Sequence, residues 1–153
     1  MKQPTQKPSS LKIVGRIERI ALPDLGIDAL DAKVDTGAAT SALHCMNIEP
    51  VERDGKDWIR FTVVLRHEDH DDVQECFVPY YDKRKVKNSG GIAELRYVIA
   101  TTMTMGEQSW PIELTLARRR NLKYRMIIGR QALRAAGVVV NPSRRHLSKP
   151  LKG

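Results

Sequence analysis

Aromatic residues are scarce in this chain: its 153 residues include two Trp, four Tyr and two Phe. A core of any size must therefore be built from Ile, Leu, Val and Ala. Cysteine is scarcer still, with Cys45 and Cys76 alone. That excludes a disulfide-stapled scaffold, and without an export signal the two read as reduced thiols. Long apolar runs are missing, because no stretch approaches the ~18 residues that span a bilayer. The opening MKQPTQKPSS is polar and lacks an apolar segment of signal-peptide length. These absences lead us to expect a cytoplasmic protein with no membrane segment. Acid is the minority charge, 18 Asp and Glu against 26 Lys and Arg, for a net charge of +8. That balance favours acidic partners such as nucleic acid, an anionic surface or an acidic peptide, and by itself specifies no fold and no chemistry.

What is present is mostly strand. Residues 1–10 read as a disordered lead-in. From Leu11, the run LKIVGRIERIAL places Ile13, Ile17 and Ile20 among polar residues, and the turn signal Pro23-Asp24-Leu25-Gly26 follows. A second run, Ile27 to Val34, completes a hairpin aimed at Asp35. WIRFTVVL (58–65) and VQECFVPY (73–80) read as another hairpin across the polar turn HEDHDD. Asn88-Ser89-Gly90-Gly91 separates Val86 from a strand over Leu95 to Thr101, and Gly106-Glu107 separates that strand from Trp110 to Leu116. After the basic loop ARRRNLKYR come a short apolar strand, MIIG (126–129), and the one convincing helix, RQALRAAG (130–137), which stops at Gly137. VVVN is the last strand. Residues 11–141 thus form one mostly β domain with a single short helix near its C-terminal end, and 142–153 a basic tail ordered in part.

Two pieces carry chemistry. Asp35-Thr36-Gly37-Ala38 follows an apolar strand, and Met126-Ile127-Ile128-Gly129-Arg130 opens the helix. A lone Asp-Thr-Gly is a common turn. The pair, in this order in a β-rich chain with a glycine-rich turn between, resembles the retropepsin-like aspartic protease superfamily. Within it, the chain is most similar to bacterial proteins known as ATP-dependent zinc proteases. The shared segments are Lys33 to His44, Val86 to Gly91, Trp110 to Leu116 and Ile127 to Leu133, and they extend across nearly the whole domain.

The resemblance implies a closed β-barrel of the acid-protease type with one short C-terminal helix. It implies an aspartic endopeptidase whose Asp35 meets its counterpart across a homodimer. Peptide hydrolysis of this class needs two carboxylates that share a proton around a water, and this chain supplies one Asp-Thr-Gly. Thr36 would hold the loop, with its hydroxyl crossing to the partner loop. Gly37 would let backbone N–H groups approach the carboxylates, and Ala38 would keep the floor small. Asn88, Ser89, Gly90 and Gly91 would form the tip of a flap that closes over substrate. Gly129 and Arg130 would support the site, with His44 as a neighbour. Viral members carry an acid directly after Asp-Thr-Gly-Ala, where it pairs with the Arg. Here that position is Ala39, so Arg130 loses that partner.

The words zinc and ATP find little support in the residues. His67-Glu68-Asp69-His70 lacks metalloprotease spacing and reads as a turn. A site drawn from His44, Cys45, His67, His70 and Cys76 is outweighed by a solvated acidic turn plus two small buried thiols. No phosphate-cradling loop joins a strand to a helix, so no metal and no cofactor are expected. Relatives of the family are linked with ATP-grasp ligases that add glutamate tails, which with the positive charge points to an acidic or glutamate-tailed protein substrate. The rival reading is a non-catalytic peptide- or RNA/ribosome-binding module, carried by Arg118-Arg119-Arg120, Lys123, Arg125 and the basic tail.

Overall fold

A computed structural model describes residues 12–66, 69–87, 90–118 and 123–148. The expected lead-in lies outside the described residues.

Among the described residues, twelve strands and one α-helix follow in order, with a 3-10 turn at Pro23–Leu25. They are β1 (Lys12–Val14), β2 (Ile17–Leu22), β3 (Ile27–Val34), β4 (Ser41–His44), β5 (Met46–Arg53), β6 (Lys56–Arg66), β7 (Asp69–Pro79), β8 (Asp82–Lys87), β9 (Ala93–Met105), β10 (Gln108–Ala117), β11 (Met126–Ile128), α1 (Arg130–Ala136) and β12 (Val138–Val140). The large sheet runs β10-β4-β11-β3-β2-β9-β8, and β9 also pairs with β10, so the order returns to its starting strand. β5, β6 and β7 make a separate three-stranded sheet, and β1 and β12 a two-stranded parallel one. Among the described residues, no helix is long and apolar enough to cross a membrane.

Local chemistry explains the turns. Gly26 closes the β2–β3 turn at φ +75° with its N–H on the Pro23 carbonyl, a left-handed conformation that costs glycine little. Asp54 and Gly55 both take positive φ between β5 and β6, as a two-residue hairpin turn requires. The first strand-like run divides at Gly15 and Arg16. β1 leaves the hairpin and pairs with β12, Ile13 opposite Val139. Gly15 permits this because any Cβ there would lie 2.3 Å from the Arg144 carbonyl oxygen.

The core is aliphatic, as the shortage of aromatics requires. Ile20, Leu22, Ile27, Leu43, Ile59, Ile99, Leu114, Met126 and Ile128 are all fully buried, joined by Phe61. Each such side chain stabilises the fold by roughly 1.5–3 kcal/mol relative to exposure. Trp110 ties the helix to this core through its indole N–H, which donates to the Ala132 carbonyl at 3.1 Å.

A carboxylate is sealed in with them. Glu18, on β2, is fully buried. One carboxylate oxygen accepts from the Gly15 and Leu147 N–H groups, and the other accepts from the Ser148 N–H and hydroxyl. Burial alone would raise its pKa; the Ser148 hydroxyl and the three backbone donors outweigh that and hold it below its ordinary value. The domain thereby continues past Asn141 to Ser148, with the His146 N–H also donating to the Ile17 carbonyl.

Candidate active site

β3 alternates strictly in its second half: Leu30, Ala32 and Val34 are buried, Lys33 is exposed, and the chain then emerges at the half-buried Asp35. β11 lies alongside in parallel, Ile128 opposite Val34, and β4 flanks β11 on its other side. The Asp35 N–H donates to the Ile128 carbonyl at 2.9 Å, which fixes the acid where the two strands end.

The turn beyond is held by its own backbone. The Ala38 N–H donates to the Asp35 carbonyl, and the Gly37 N–H donates to Asp35 Oδ1 at 3.0 Å. A Cβ at Gly37 would lie 3.2 Å from that same oxygen. α1 starts directly against this turn. The Arg130 and Gln131 N–H groups donate to the carbonyls of Ala38 and Ala39 at 2.8 and 3.1 Å. The helix has no side-chain cap; the site loop satisfies its first donors instead. The Arg130 guanidinium reaches back to the carbonyls of Thr36 and Gly37 at 3.3 and 3.1 Å. It thus has partners within its own chain, although Ala39 offers it no acid.

Gly129 is enclosed on two sides. A Cβ there would lie 2.6 Å from the Thr40 carbonyl and 3.0 Å from that of Ala38. Its N–H donates to the hydroxyl of buried Ser41 at 3.0 Å, and the Ser41 carbonyl accepts from Thr115. Ser41 is a supporting residue that sequence reasoning did not single out, although it stands in the shared segment Lys33 to His44. The structure thus brings Asp35, Thr36, Gly37, Ala38, Gly129 and Arg130 together. His44 it places elsewhere. Buried at the far end of β4, it donates its backbone N–H to the Arg125 carbonyl. That is three residues along the strand from Ser41, roughly 10 Å at strand rise.

β8 and β9 form the expected hairpin in unbroken register, from Asp82 opposite Val98 to Lys87 opposite Ala93. At its tip, Gly90 and Gly91 are exposed, Gly91 with φ +80°, and Ile92 is 68% exposed. Asn88 and Ser89 lie outside the described residues. The base of the hairpin is clamped to β10: Glu113 accepts two hydrogen bonds from Arg84, at 2.8 and 3.0 Å, and one from the Tyr81 hydroxyl.

Of the candidate zinc donors, the structure describes the side chains of His44, Cys45 and Cys76. Cys45 and Cys76 are buried with their thiols donating to backbone carbonyls. Burial pushes the Cys76 thiol up to about 12 and the Cys45 thiol upward as well. Among the described residues, no three His, Cys, Asp or Glu side chains gather around a common point. His67 and the side chain of His70 lie outside them.

Comparison with known proteins gives a consistent family and a differing name. A family model for retropepsin-like aspartic endopeptidase RimB matches residues 13–150. Curated relatives include a protein of Parasynechococcus marenigrum, 46% identical over 88% of this chain and 28% of its own length. Others are from Desulfotalea psychrophila, 43% identical over 80% of this chain and 26% of its own, and Shewanella pealeana, 39% identical over 86% and 28%. Each bears the name probable alpha-L-glutamate ligase. The chain therefore spans about a quarter of the length of the curated relatives it matches. Among solved structures, a Legionella pneumophila protein of unknown function superposes with a TM-score of 0.75 at 28% identity, covering 90% of this chain and 98% of that one.

Proposed function

The chain belongs to the family of retropepsin-like aspartic endopeptidase RimB, and from that premise we propose that it hydrolyses peptide bonds with Asp35 as its catalytic carboxylate. The observation that carries this reading is the bracing of one acid. Asp35 is held by Gly37 and Ile128, while Arg130 and the first turn of α1 hold the loop around it. Such fixed donors orient a carboxylate for proton transfer without reorganisation during the reaction. The pairing of β9 with both β2 and β10 supports reading the large sheet as the closed barrel of this superfamily.

The second carboxylate comes from a second copy. Among the described residues, no carboxyl group is hydrogen-bonded to Asp35. Among the described residues, the two-stranded β1–β12 sheet pairs with no further strand, and Ile13 is 50% and Val139 41% exposed. It joins the Asp35 strand through Arg16, whose carbonyl accepts from the Val34 N–H. An open apolar edge beside the acid favours a two-fold dimer in which both Asp35 side chains meet. Two carboxylates about 3 Å apart cannot both ionise. The ionised one takes a proton from water as the water oxygen attacks the scissile carbonyl carbon. The protonated one gives its proton to the carbonyl oxygen. Collapse of the resulting diol breaks the C–N bond, and the amine leaves with a proton from the dyad. The β8–β9 hairpin, clamped at its base and glycine-rich at its tip, closes over the peptide as a flap.

The glutamate-ligase name belongs to proteins of which this chain matches one part. We read ligation as the work of their remainder, and this domain as a peptidase acting in the same chemistry, on acidic or glutamate-tailed protein. Asp35→Asn tests the catalytic claim: hydrolysis should vanish while circular dichroism and oligomeric state stay unchanged. Retained hydrolysis overturns it. Equal turnover of glutamate-tailed and untailed peptide would remove the substrate claim.

A second reading, an RNA- or ribosome-binding module, draws on the outer face of the β5–β6–β7 sheet. There Trp58 and Phe77 lie 4.9 Å apart, with Arg53 and Arg60 stacked on them. Its test is a salt titration of RNA binding, whose affinity should fall steeply with log salt.

A further inference from the structure

β9 and β10 pair from their shared turn as far as Val98 opposite Thr115. Beyond that point they separate. β9 goes on into the hairpin with β8, while β10 continues beside β4 to Ala117. Between them opens a cavity of about 290 Å³, lined by Ile48, Leu116, Tyr97, Glu94, Arg96 and Arg118. It is at the lower limit of cavities that hold small-molecule ligands, ~300–1,000 Å³, and suits a side chain better than a cofactor.

Its charge is unbalanced. Arg96 is 6% exposed, and its Nε and Nη2 both donate to the same oxygen, Oε1 of Glu94. Its Nη1 has no partner among the described residues. Arg118 spends one N–H on the Ile48 carbonyl at 2.8 Å, which leaves the rest of its guanidinium free among the described residues. Two guanidinium groups thus face a single carboxylate. A nearly buried cation with unspent donors favours a second anion, and guanidinium groups bind carboxylates through paired N–H donors. The apolar neighbours Ile48, Leu116 and Tyr97 would pack against a methylene stem.

We propose that this cavity binds a carboxylate side chain of an acidic peptide segment. The cavity sits on the site's own strands: Leu116 pairs with Leu43, two residues along β4 from Ser41, which holds Gly129. A segment anchored there would lie against the β8–β9 hairpin, whose Glu94, Arg96 and Tyr97 line the cavity. The identity of the ligand as a peptide rests on the peptidase reading; the anion site does not.

The experiment measures binding apart from turnover. Fluorescein-labelled hexaglutamate and hexaglutamine are titrated into the full chain carrying Asp35→Asn, with anisotropy as readout. Hexaglutamate should bind at least about tenfold more tightly than hexaglutamine, and Arg118→Gln should weaken it about tenfold. Glu94→Gln keeps an acceptor for Arg96 and removes the competing charge, so it should tighten hexaglutamate binding by about threefold or more. A residue that merely supports the fold would not give that opposite sign. Equal affinity for the two peptides, or no tightening by Glu94→Gln, overturns the proposal. So does single-stranded RNA bound as tightly as hexaglutamate and lost in the Arg118 variant. Binding as expected by a protein whose wild type cleaves no peptide would keep the site and remove the peptidase reading. Cleavage without acid-selective binding would do the reverse.

Discussion

Gly129 lies so close to the carbonyl of Thr40 that a methyl group in place of its hydrogen would stand 2.6 Å from both the carbon and the oxygen. Both atoms are backbone, so neither can swing aside. Gly129→Ala must lift the 35–40 loop or push back the start of α1. The expected cost is about 1–3 kcal/mol or more in urea denaturation, with loss of hydrolysis. Gly37→Ala meets only Asp35 Oδ1, at 3.2 Å. It should leave the denaturation midpoint nearly unchanged and lower kcat, because what moves is the carboxylate itself.

Arg130 supports the Asp35 loop through the carbonyls of Thr36 and Gly37. Arg130→Met removes both hydrogen bonds at a cost of about 1–2 kcal/mol. Hydrolysis should fall further than stability does, because the loop loses its brace while the core stays packed. Arg130→Lys, a point donor in place of a planar fork, should recover stability better than kcat. Equal loss of both in the two variants would show that Arg130 acts on the fold alone.

Glu18 makes the domain sensitive to acid. Its folded pKa lies below the ordinary value of 4.5. The stability it contributes is therefore complete above about pH 4.5 and is lost as pH falls through the folded value. Glu18→Gln sets an NH2 against two of the four donors that surround the carboxylate. It should cost about 2–3 kcal/mol at neutral pH. The gap between wild type and variant, followed by denaturation from pH 7 to 3, should narrow as acid is added. Limited proteolysis should also cut the variant earlier within residues 142–148.

Tyr81 offers a spectroscopic handle on the flap base. Burial and the neighbouring Glu113 carboxylate push its phenol up to about 12 from an ordinary 10.0. A phenol raised in the folded state is neutral there while already ionised in the unfolded chain, so this stability fades as pH climbs from 10 toward 12. Ultraviolet titration should show a late phenol step that is absent from Tyr81→Phe and moved down in Glu113→Gln.

What was legible in the sequence is what local rules govern. The hairpin into Asp35, the β6–β7 and β9–β10 hairpins and the helix with its Gly137 stop follow from alternation, turn glycines and a capping position, and all are present. Three strands carried no local mark: β4, only Ser41–His44, then β5, and β8, which was expected only as an arm of the flap that the resemblance implies. β5 carries Pro50 and mostly exposed polar residues, and β8 is DKRKVK. Both bond to a neighbour on one side only, and edge strands tolerate proline and lysine because their outer face is solvent. β9 extends two residues before and four beyond Leu95 to Thr101, where turn-like composition hides pairing supplied by distant strands. Of the site, the Asp-Thr-Gly loop and the Gly129-Arg130 step were readable as a pair. The Ser41 brace was not, because a serine within a strand bears no mark of the backbone it serves. Glu18 was read as a polar residue between Ile17 and Ile20; nothing local reveals donors arriving from Leu147 and Ser148.

Pairing between β1 and β12 sets the order in which the molecule can be completed. Emerging from the ribosome, residues 12–14 have no strand to join until residues 138–140 follow, and Glu18 waits still longer for the segment around Ser148. Until then a carboxylate and an apolar edge stand open, so this domain cannot close before residues 138–148 have been made.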